Sequence, residues 1–399
     1  MASPMIPIAE ARALVLEAVT PPEPERIAVT AALDRVLAED VVATTDVPPF
    51  PSSAMDGYAL EPGPADRELR LVGESRAGAP ADGAPKAGEA IRISTGAAVP
   101  AGVTAVIRQE DTEERGDTVL VRAAVELGEN IRPAGEVMTR GTAVLSSGTT
   151  LRAAELGAAV TAGVGTVLVG RRPRVKVLST GDELVDAGEP LRLGEIHNSN
   201  APMLTALAAH AGALTAPAGR LADDRAATEA GLGDALESAD VVIVSGGVSV
   251  GPHDHVKPAL AALGVREIFW RVALQPGKPT WFGARDGRLV FGLPGNPVSA
   301  AVTFALFAAP ALSALQGAAD ASAERHVPLG SAVRSNSDRE QAIRVRLEPR
   351  DGTVVAVPNG PQGSHVITSL LGADALALIP AGRGELPAGT VVALAPLPR

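Results

Sequence analysis

Three polar loops in the middle of the chain each follow an apolar run, and together they could form one binding site. The three pairs of run and loop are Val175–Leu178 with Ser179–Leu184, Val241–Val244 with Ser245–Gly251, and Leu289–Gly292 with Leu293–Pro297. In an open parallel sheet, ligands bind at the edge where the strands have their carboxyl ends. We therefore expect the loops to converge there, although any one of them alone is equally typical of a tight turn.

The chemistry of these loops favours a phosphorylated ligand. Gly246, Gly247 and Gly251 would let backbone N–H groups approach a phosphate, and a helix beginning near Asp254 would add its positive end. The acids Asp182, Glu183 and Asp254 would repel phosphate unless Mg²⁺ bridges them to it. Alternatively, Asp182 and Asp254 cap helices. Lys278, on a turn rich in proline, could add a point charge or be an ordinary exposed lysine.

Two further groups of polar residues are less informative by themselves. Asp56-Gly57, the segment that begins at Ser94-Thr95, and the acids near Gln109 and Gly128 are typical of acidic β-turns. His253-Asp254-His255 suggests a metal, but nothing nearby completes a ligand set. These residues therefore predict no second site without other information.

The elements that must hold the loops read as an α/β domain over residues 174–323. Strands over 175–178, 241–245 and 289–292 alternate with helices over 200–211, 225–237, 256–263 and 298–316. Asn296 is expected to cap the last helix, with Pro297 in its first turn and Gly317 at its end. This alternation predicts a parallel, doubly wound sheet.

The rest of the chain is predicted to be β-rich. Short strands broken by Gly and Pro indicate an inserted β-rich domain over 45–137, and its flanks 5–44 and 138–173 would join as a linking domain with helices over 8–19, 31–40 and 153–162. Strand alternation over 324–399 predicts a C-terminal β domain. The fold class is thus multidomain α/β plus β.

Composition excludes several classes of protein. The 399 residues include no cysteine, so disulfides and Cys-ligated zinc are excluded, and the net charge of −11 with one Tyr and two Trp argues against nucleic-acid binding. We expect no membrane helix, because no run of about 18 consecutive strongly apolar residues is evident, and residues 1–20 do not resemble a signal peptide. We expect a cytoplasmic protein that contacts neither nucleic acid nor membrane.

Six strings in order give the chain a family resemblance. They are Ser-Ala-Met-Asp-Gly-Tyr at 53–58, Ser-Thr-Gly-Asp-Glu-Leu at 179–184, Ser-Gly-Gly-Val-Ser-Val-Gly at 245–251, Pro-Gly-Lys-Pro at 276–279, Gly-Leu-Pro-Gly-Asn-Pro-Val-Ser at 292–299 and Gln-Gly-Ser-His at 362–365. Together they resemble the motifs of the molybdopterin molybdenumtransferase (MoeA) family. The resemblance implies a C-terminal domain like a β-barrel and a homodimer whose sites are shared between subunits.

The resemblance also implies an activity and a set of site residues. Adenylylated molybdopterin and molybdate would give molybdenum cofactor and AMP with the help of Mg²⁺. The implied catalytic residues are Asp56, Thr95, Glu183, Asp254 and Lys278. The implied metal ligands are Glu183, Asp254 and one of Asp223 and Asp224, of which we select Asp224. The implied substrate-binding residues are Ser179, Thr180, Gly181, Asp182, Ser245, Gly246, Gly247, Ser249, Pro294, Gly295, Asn296, Pro297, Arg339 and Ser364.

Within that set, Ser245–Gly247 and Lys278 would bind the pterin or nucleotide phosphates, and Asp56 and Thr95 would serve molybdate transfer. Two positions depart from the pattern: Val137 replaces an acid of many members, and Gln275 replaces a lysine of some. Two other functions compete, a molybdopterin adenylyltransferase and a clustering scaffold. The β-rich segments argue against the first, and the lack of a long linker argues against the second. A separate adenylyltransferase remains a candidate partner.

Overall fold

The computed structural model of the chain describes residues 5–248, 254–319 and 325–397. Its first part contains α1 (Ile8–Glu17), β1 (Glu25–Ala28), β2 (Val41–Val42), β3 (Ser52–Ser53), β4 (Gly57–Leu60), β5 (Arg67–Ser75), β6 (Glu89–Ile93), β7 (Ala105–Arg108), β8 (Thr112–Arg115), β9 (Thr118–Val121), β10 (Ile131–Arg132), β11 (Ala143–Leu145), α2 (Ala153–Thr161) and β12 (Thr166–Val169). Its second part contains β13 (Arg174–Thr180), β14 (Leu184–Val185), β15 (Ile196–His197), α3 (Asn200–His210), β16 (Leu214–Thr215), β17 (Gly219–Leu221), α4 (Arg225–Ser238), β18 (Val241–Ser245), α5 (Val256–Ala262), β19 (Arg266–Trp270), β20 (Leu274–Gln275), β21 (Trp281–Arg285), β22 (Arg288–Leu293), α6 (Pro297–Thr303) and α7 (Ala309–Leu315). The third part contains β23 (Arg325–Pro328), β24 (Val333–Arg334), β25 (Glu340–Arg350), β26 (Thr353–Pro358), β27 (Ala375–Ile379), β28 (Glu385–Leu386) and β29 (Val391–Pro396).

The α/β sheet has the strand order β16–β13–β18–β22–β21–β19, and β17 also pairs with β13. The pairings among β16, β17, β13, β18 and β22 are parallel, whereas those of β21 with β22 and β19 are antiparallel. The predicted parallel sheet is therefore confirmed for β16, β17, β13, β18 and β22 and is wrong at the edge formed by β21 and β19. Asp286 and Gly287 have φ angles of 50° and 76°, which favour the tight hairpin between β21 and β22.

Strand β18 lies at the centre of the core. Val241, Val242, Ile243 and Val244 are fully buried, as expected for a parallel strand with helices on both faces. Val241 and Ile243 belong to the apolar cluster that includes side chains of α1, α3, α6 and α7, whereas Val242 and Val244 belong to the cluster with α4 and α5. One face of β18 thus packs in the cluster with α1, α3, α6 and α7, and the other face packs in the cluster with α4 and α5.

The segment from α6 to α7 corrects a sequence expectation about apolar windows. Pro297–Leu315 has 19 residues and a mean hydropathy of 1.9, so by length and composition it could cross a membrane. In the structure 78% of its most apolar window is buried inside the protein, and residues such as Phe304 and Phe307 pack in the main core. A π-helical turn at Phe304–Ala308 joins α6 to α7. This is the geometry of a core helix.

The β-rich segments form separate sheets. The strands β7–β4–β6–β5–β9–β8 make a six-stranded sheet between residues 57 and 121, while β1 pairs with β12 and β2 pairs with β11 across the ends of that segment. The C-terminal sheet has the order β20–β25–β27–β29–β23, with β26 beside β25, and a bridge between Leu329 and Ala356 curls it toward a half-barrel. The domain boundaries themselves stay a prediction.

The helix predicted over residues 31–40 is wrong. Only Val29–Ala31 makes a 3-10 turn, and Asp34 has a φ of 59°, which an α-helix does not allow. The backbone N–H groups of Asp34 and Leu37 donate to Leu151 and Thr149 instead. Tertiary pairing therefore outweighs local helix propensity in this segment.

The Asp56-Gly57 string shows why glycine is required there. Gly57 does not form the turn that the sequence suggested but begins β4, and a Cβ at this position would lie 1.8 Å from the carbonyl oxygen of Ile107 on the paired strand β7. The backbones of β4 and β7 are therefore too close for any side chain here.

We predict that Gly57→Ala lowers the free energy of unfolding by at least about 2 kcal/mol, because the neighbouring backbone must shift. Gly73→Ala is the matched control, since Gly73 lies in β5 of the same sheet and its Cβ would meet no atom within 4 Å. Urea denaturation of both variants measures the difference. Equal midpoints for the two variants would contradict the close approach.

Candidate functional site

The three predicted loops converge on one cavity. Ser179 of β13 lies beside Ser245 of β18, which lies beside Leu293 of β22, so the loops leave the same edge of the sheet. They border a cavity of about 510 Å³, called here the loop cavity. Its lining residues are Ser179, Thr180, Gly181, Glu183, Leu184, Ile196, His197, Asn198, Ser199, Asn200, Asp223, Ser245, Gly246, Gly247, Asp254, Gly295, Asn296 and Pro297.

Nine of the fourteen residues predicted to bind substrate line this cavity, and five do not; of these five, Arg339 and Ser364 line a second cavity described below. Pro294 and Asp182 lie outside the lining set. Ser249 lies outside the described residues, as do Gly251 and His253. The convergence that the sequence predicted is therefore present for the described part of each loop.

Asn200 joins two of the loops and was missed by sequence reasoning. Its Nδ2 donates to the Ser245 hydroxyl at 2.8 Å and to the Gly295 carbonyl at 2.7 Å, and the residue is only 8% exposed. Its Oδ1 is buried with no hydrogen-bond partner among the described residues. A buried acceptor without a partner costs free energy. The two bonds that Nδ2 donates must offset this cost, and they hold the side-chain amide in place.

The Gly-rich loop after β18 packs tightly on its neighbours. Gly246 has a φ of 90°, and a Cβ there would lie 2.8 Å from the Thr180 hydroxyl. Beyond the glycines, the Val248 carbonyl accepts a hydrogen bond of 3.1 Å from the indole N–H of Trp270. The ammonium of Lys257 lies 3.5 Å from the Trp270 ring centre, and burial lowers the pKa of Lys257. Trp270 thus contacts both flanks of the loop.

Three acids line the loop cavity, and the structure distinguishes the alternatives left open for them. Glu183, Asp223 and Asp254 border the cavity, whereas Asp224 caps α4 by accepting a bond of 2.8 Å from the Ala227 N–H. The geometry therefore favours Asp223 over Asp224 as the cavity-facing acid.

The cap that the sequence offered for Asp182 is wrong. Asp182 exchanges backbone-to-carboxylate bonds of 3.2 and 3.3 Å with Asp223 and precedes no helix. Asp254 lies near the start of α5, but the N-cap position itself is His255. In this way the loops after β13 and β17 are tied together by the Asp182–Asp223 pair.

The donor set suits Mg²⁺ better than a transition metal. Among the described residues, no group of three or more His, Asp and Glu side chains is arranged to hold a metal ion by itself. Mg²⁺ commonly binds through one or two carboxylates plus phosphate oxygens and water. Glu183 and Asp254, facing a cavity with a Gly-rich loop, fit that pattern once a phosphorylated ligand supplies the remaining oxygens.

A second cavity adjoins the first and has the opposite charge. It measures about 320 Å³, is called here the cationic cavity, and shares Asn296 with the loop cavity. Its lining residues are Gln275, Pro276, Gly277, Lys278, Pro279, Asn296, Ser299, Arg339, Gln362, Gly363 and Ser364. None of these lining residues carries a carboxylate, so Lys278 and Arg339 make it suitable for an anion.

Residues distant in sequence build the cationic cavity. Gln275 belongs to β20, which pairs with β25 of the C-terminal sheet, and its Oε1 accepts a bond of 2.6 Å from the Asn336 amide. Ser364 contacts Asn296, whose Nδ2 lies 3.3 Å from the Ser364 hydroxyl. Gln362 and Ser299 lie in the strings that carry the family resemblance but were not assigned to the site, and their place in this cavity becomes visible only when these segments are brought together.

Asp56 and Thr95 lie elsewhere, in the six-stranded sheet. The Thr95 N–H donates to the Asp56 carboxylate at 2.7 Å, and both residues are exposed. Neither lines the loop cavity or the cationic cavity. Val137, one of the two departures, is 67% exposed on the same part of the chain. The structure brings the two predicted residues to each other and not to the remaining site residues.

Domain families match the chain in three consecutive segments. Residues 6–163 match the MoeA N-terminal region (domain I and II), residues 176–314 match a probable molybdopterin binding domain, and residues 326–397 match the MoeA C-terminal region (domain IV). These segments together cover nearly all of the described chain.

Similar proteins cover the chain almost from end to end. The molybdopterin molybdenumtransferase of Haemophilus influenzae is 34% identical and covers 98% of each chain, and molybdopterin molybdenumtransferase 2 of Mycobacterium tuberculosis is 36% identical over 96% of this chain and 97% of its own. A solved molybdopterin biosynthesis MoeA protein from Pyrococcus horikosii superposes with a TM-score of 0.83 at 30% identity and covers 99% of each chain.

The two hydrogen bonds that Asn200 donates to Ser245 and Gly295, called here the Asn200 clamp, lead to a stability prediction. Asn200→Ala removes the donors to Ser245 and Gly295, so the free energy of unfolding should fall by about 1–2 kcal/mol. Thr205→Ala on the same helix is the control, because its hydroxyl donates only to Ala201 one turn earlier, and we expect a change within about 0.5 kcal/mol. Chemical denaturation compares them. A clamp that contributes nothing would leave the two variants equally stable.

Proposed function

The chain belongs to the molybdopterin molybdenumtransferase (MoeA) family of transferases, which act in molybdenum cofactor biosynthesis, and on that premise we propose its reaction and the role of each cavity. Adenylylated molybdopterin and molybdate are the substrates, and molybdenum cofactor and AMP are the products. The observation that carries this proposal is the pair of adjoining cavities, one acidic with a Gly-rich loop and one cationic, which meet at Asn296.

The loop cavity takes the pterin and nucleotide phosphates. Backbone N–H groups of Ser245–Gly247 approach the phosphate, since glycine leaves no side chain between ligand and backbone. Glu183, Asp223 and Asp254 would hold Mg²⁺ or its waters, and the ion would neutralise phosphate charge when bound. Ser179, Thr180, Gly181, Gly295 and Pro297 shape the walls of this cavity.

The cationic cavity takes an oxyanion. Lys278 and Arg339 offer positive charge, and the Ser364 hydroxyl and the Asn296 amide offer neutral donors. Both molybdate and the phosphate of the pterin have this tetrahedral, anionic chemistry. Because the cationic cavity adjoins the loop cavity, one large substrate can contact both cavities at once.

Asp56 and Thr95 complete the site from a second subunit. Because neither residue lines the loop cavity or the cationic cavity of its own chain, we propose a homodimer in which the sheet carrying them covers the loop cavity of the partner. The protein acts in the cytoplasm, where a molybdopterin adenylyltransferase supplies its substrate and can dock to it.

An assay of AMP release tests the proposed reaction. The purified protein, given adenylylated molybdopterin and Mg²⁺, should release AMP only when molybdate is added. In a parallel reaction with molybdopterin and ATP, consumption of ATP would identify an adenylyltransferase instead, and activity in neither reaction would leave a scaffold as the function.

We predict that Asp254→Asn lowers molybdate-dependent AMP release by at least about tenfold without changing the melting temperature, because a ligand or water-orienting acid is lost. Asp234→Asn is the control, since Asp234 is an exposed acid of α4 that lines neither cavity. Normal turnover in a normally folded Asp254→Asn protein would remove this residue from the mechanism.

A mixing experiment tests the shared site. Asp56→Asn and Asp254→Asn subunits, each inactive alone, should regain about a quarter of wild-type activity after exchange, because half of the dimers are mixed and each mixed dimer has one intact site. Differently tagged subunits confirm that exchange has occurred. If mixed dimers form and stay inactive, each chain must build its site alone.

A further inference from the structure

Arg344 is a buried guanidinium with no role in the reaction as described above. It lies in the middle of β25 and is only 1% exposed. Arg346, two residues along the same strand, has a side chain that is 53% exposed and pairs with Glu348. The two arginines therefore have opposite environments although they share a strand.

Four groups of Arg344 hold the segment between β26 and β27. Its backbone N–H and carbonyl both bond to the side-chain amide of Gln362, at 3.0 and 3.2 Å. Its Nε donates to the Ser369 hydroxyl at 3.1 Å, and its Nη2 lies 3.4 and 3.3 Å from the carbonyls of Pro361 and Gly363. The backbone of Arg344 thus holds the Gln362 side chain, and the Arg344 guanidinium holds the carbonyls of Pro361 and Gly363.

That segment is the wall of the cationic cavity. Gln362, Gly363 and Ser364 line it together with Lys278, and the Ser364 carbonyl also accepts from the Val298 N–H at 3.2 Å. Arg344 itself lies behind the wall and does not line the cavity. It acts on any ligand there through the loop and through its charge.

The charge of Arg344 is not neutralised by the protein. Its hydrogen-bond partners are carbonyl, hydroxyl and amide groups, and no carboxylate pairs with it within the described ranges. Burial lowers its pKa to about 10, so it stays protonated at neutral pH. A buried charge without a counter-ion is destabilising, and the nearby cavity adds Lys278 and Arg339, which have the same sign.

We propose that Arg344 is a positioning residue of the cationic cavity, which holds the Gln362–Ser364 wall in place and uses the bound oxyanion as its counter-ion. A neutral donor could make similar hydrogen bonds to the carbonyls of Pro361 and Gly363. Only a cation, however, is also stabilised by Coulomb attraction to an oxyanion bound on the other side of the Gln362–Ser364 wall. The inference deepens the proposed function, since it rests on an oxyanion binding in this cavity.

Calorimetric titration of the full-length protein with sodium molybdate tests the inference without requiring turnover. Arg344→Gln should weaken molybdate binding about fivefold or more, because the charge behind the wall is lost. Arg344→Lys keeps the charge, so its affinity should stay within about twofold of wild type even though its melting temperature falls. Arg346→Gln is the matched control and should bind as wild type does.

The outcomes separate the role of Arg344 from the oxyanion cavity itself. If wild type binds molybdate and Lys278→Ala weakens it, but Arg344→Gln binds as tightly as Arg346→Gln, the inference is overturned and the cavity stands. If wild type binds no molybdate, the assignment of the cavity fails as well. Should Arg344→Gln not fold, the Arg344→Lys variant decides the question. Retained molybdate affinity supports the inference, and lost affinity in a folded Arg344→Lys protein overturns it, because the charge is then still present.

Discussion

Strand β18 is hydrogen-bonded to a parallel neighbour on each side and covered by helices on both faces, and this arrangement determines where ligands can bind. Its two faces pack in different apolar clusters, and each of its residues is paired with one of β13 and one of β22. Fixed register places Ser179, Ser245 and Leu293 side by side. The loops that follow them have no other edge from which to leave, and the loop cavity is the space between them.

The sequence was sufficient wherever the signal is local. The apolar run at Val241–Val244 predicted a covered strand, and the loops after three such runs were expected to converge. What it could not supply depends on tertiary placement. Asn200 is an ordinary first residue of a helix until it is seen to bond to two loops, and the helix expected over 31–40 is replaced by pairing with distant backbone. The roles of Asp56 and Thr95 came from family resemblance and stay predictions.

The two cavities divide positive and negative charge between them. Acids of the first would repel a phosphorylated ligand without a cation, while Lys278 and Arg339 of the second attract one directly. A substrate that carries phosphates and meets a separate oxyanion needs both kinds of surface within one ligand length. Asn296 is the N-cap residue of α6 and lines both cavities. The buried helical segment Pro297–Leu315 therefore also fixes how the two cavities are joined.

Strand β20 has a consequence for how the protein can be divided. Its two residues leave the α/β segment and pair with β25, so the wall of the cationic cavity depends on a sheet formed mainly by the last part of the chain. A fragment ending before β23 would leave β20 without its partner strand and would lack Arg339, Gln362, Gly363 and Ser364 of the cationic cavity. The C-terminal region is therefore not a detachable module, and gene fusions or split versions of this protein would have to keep the two segments in one folding unit.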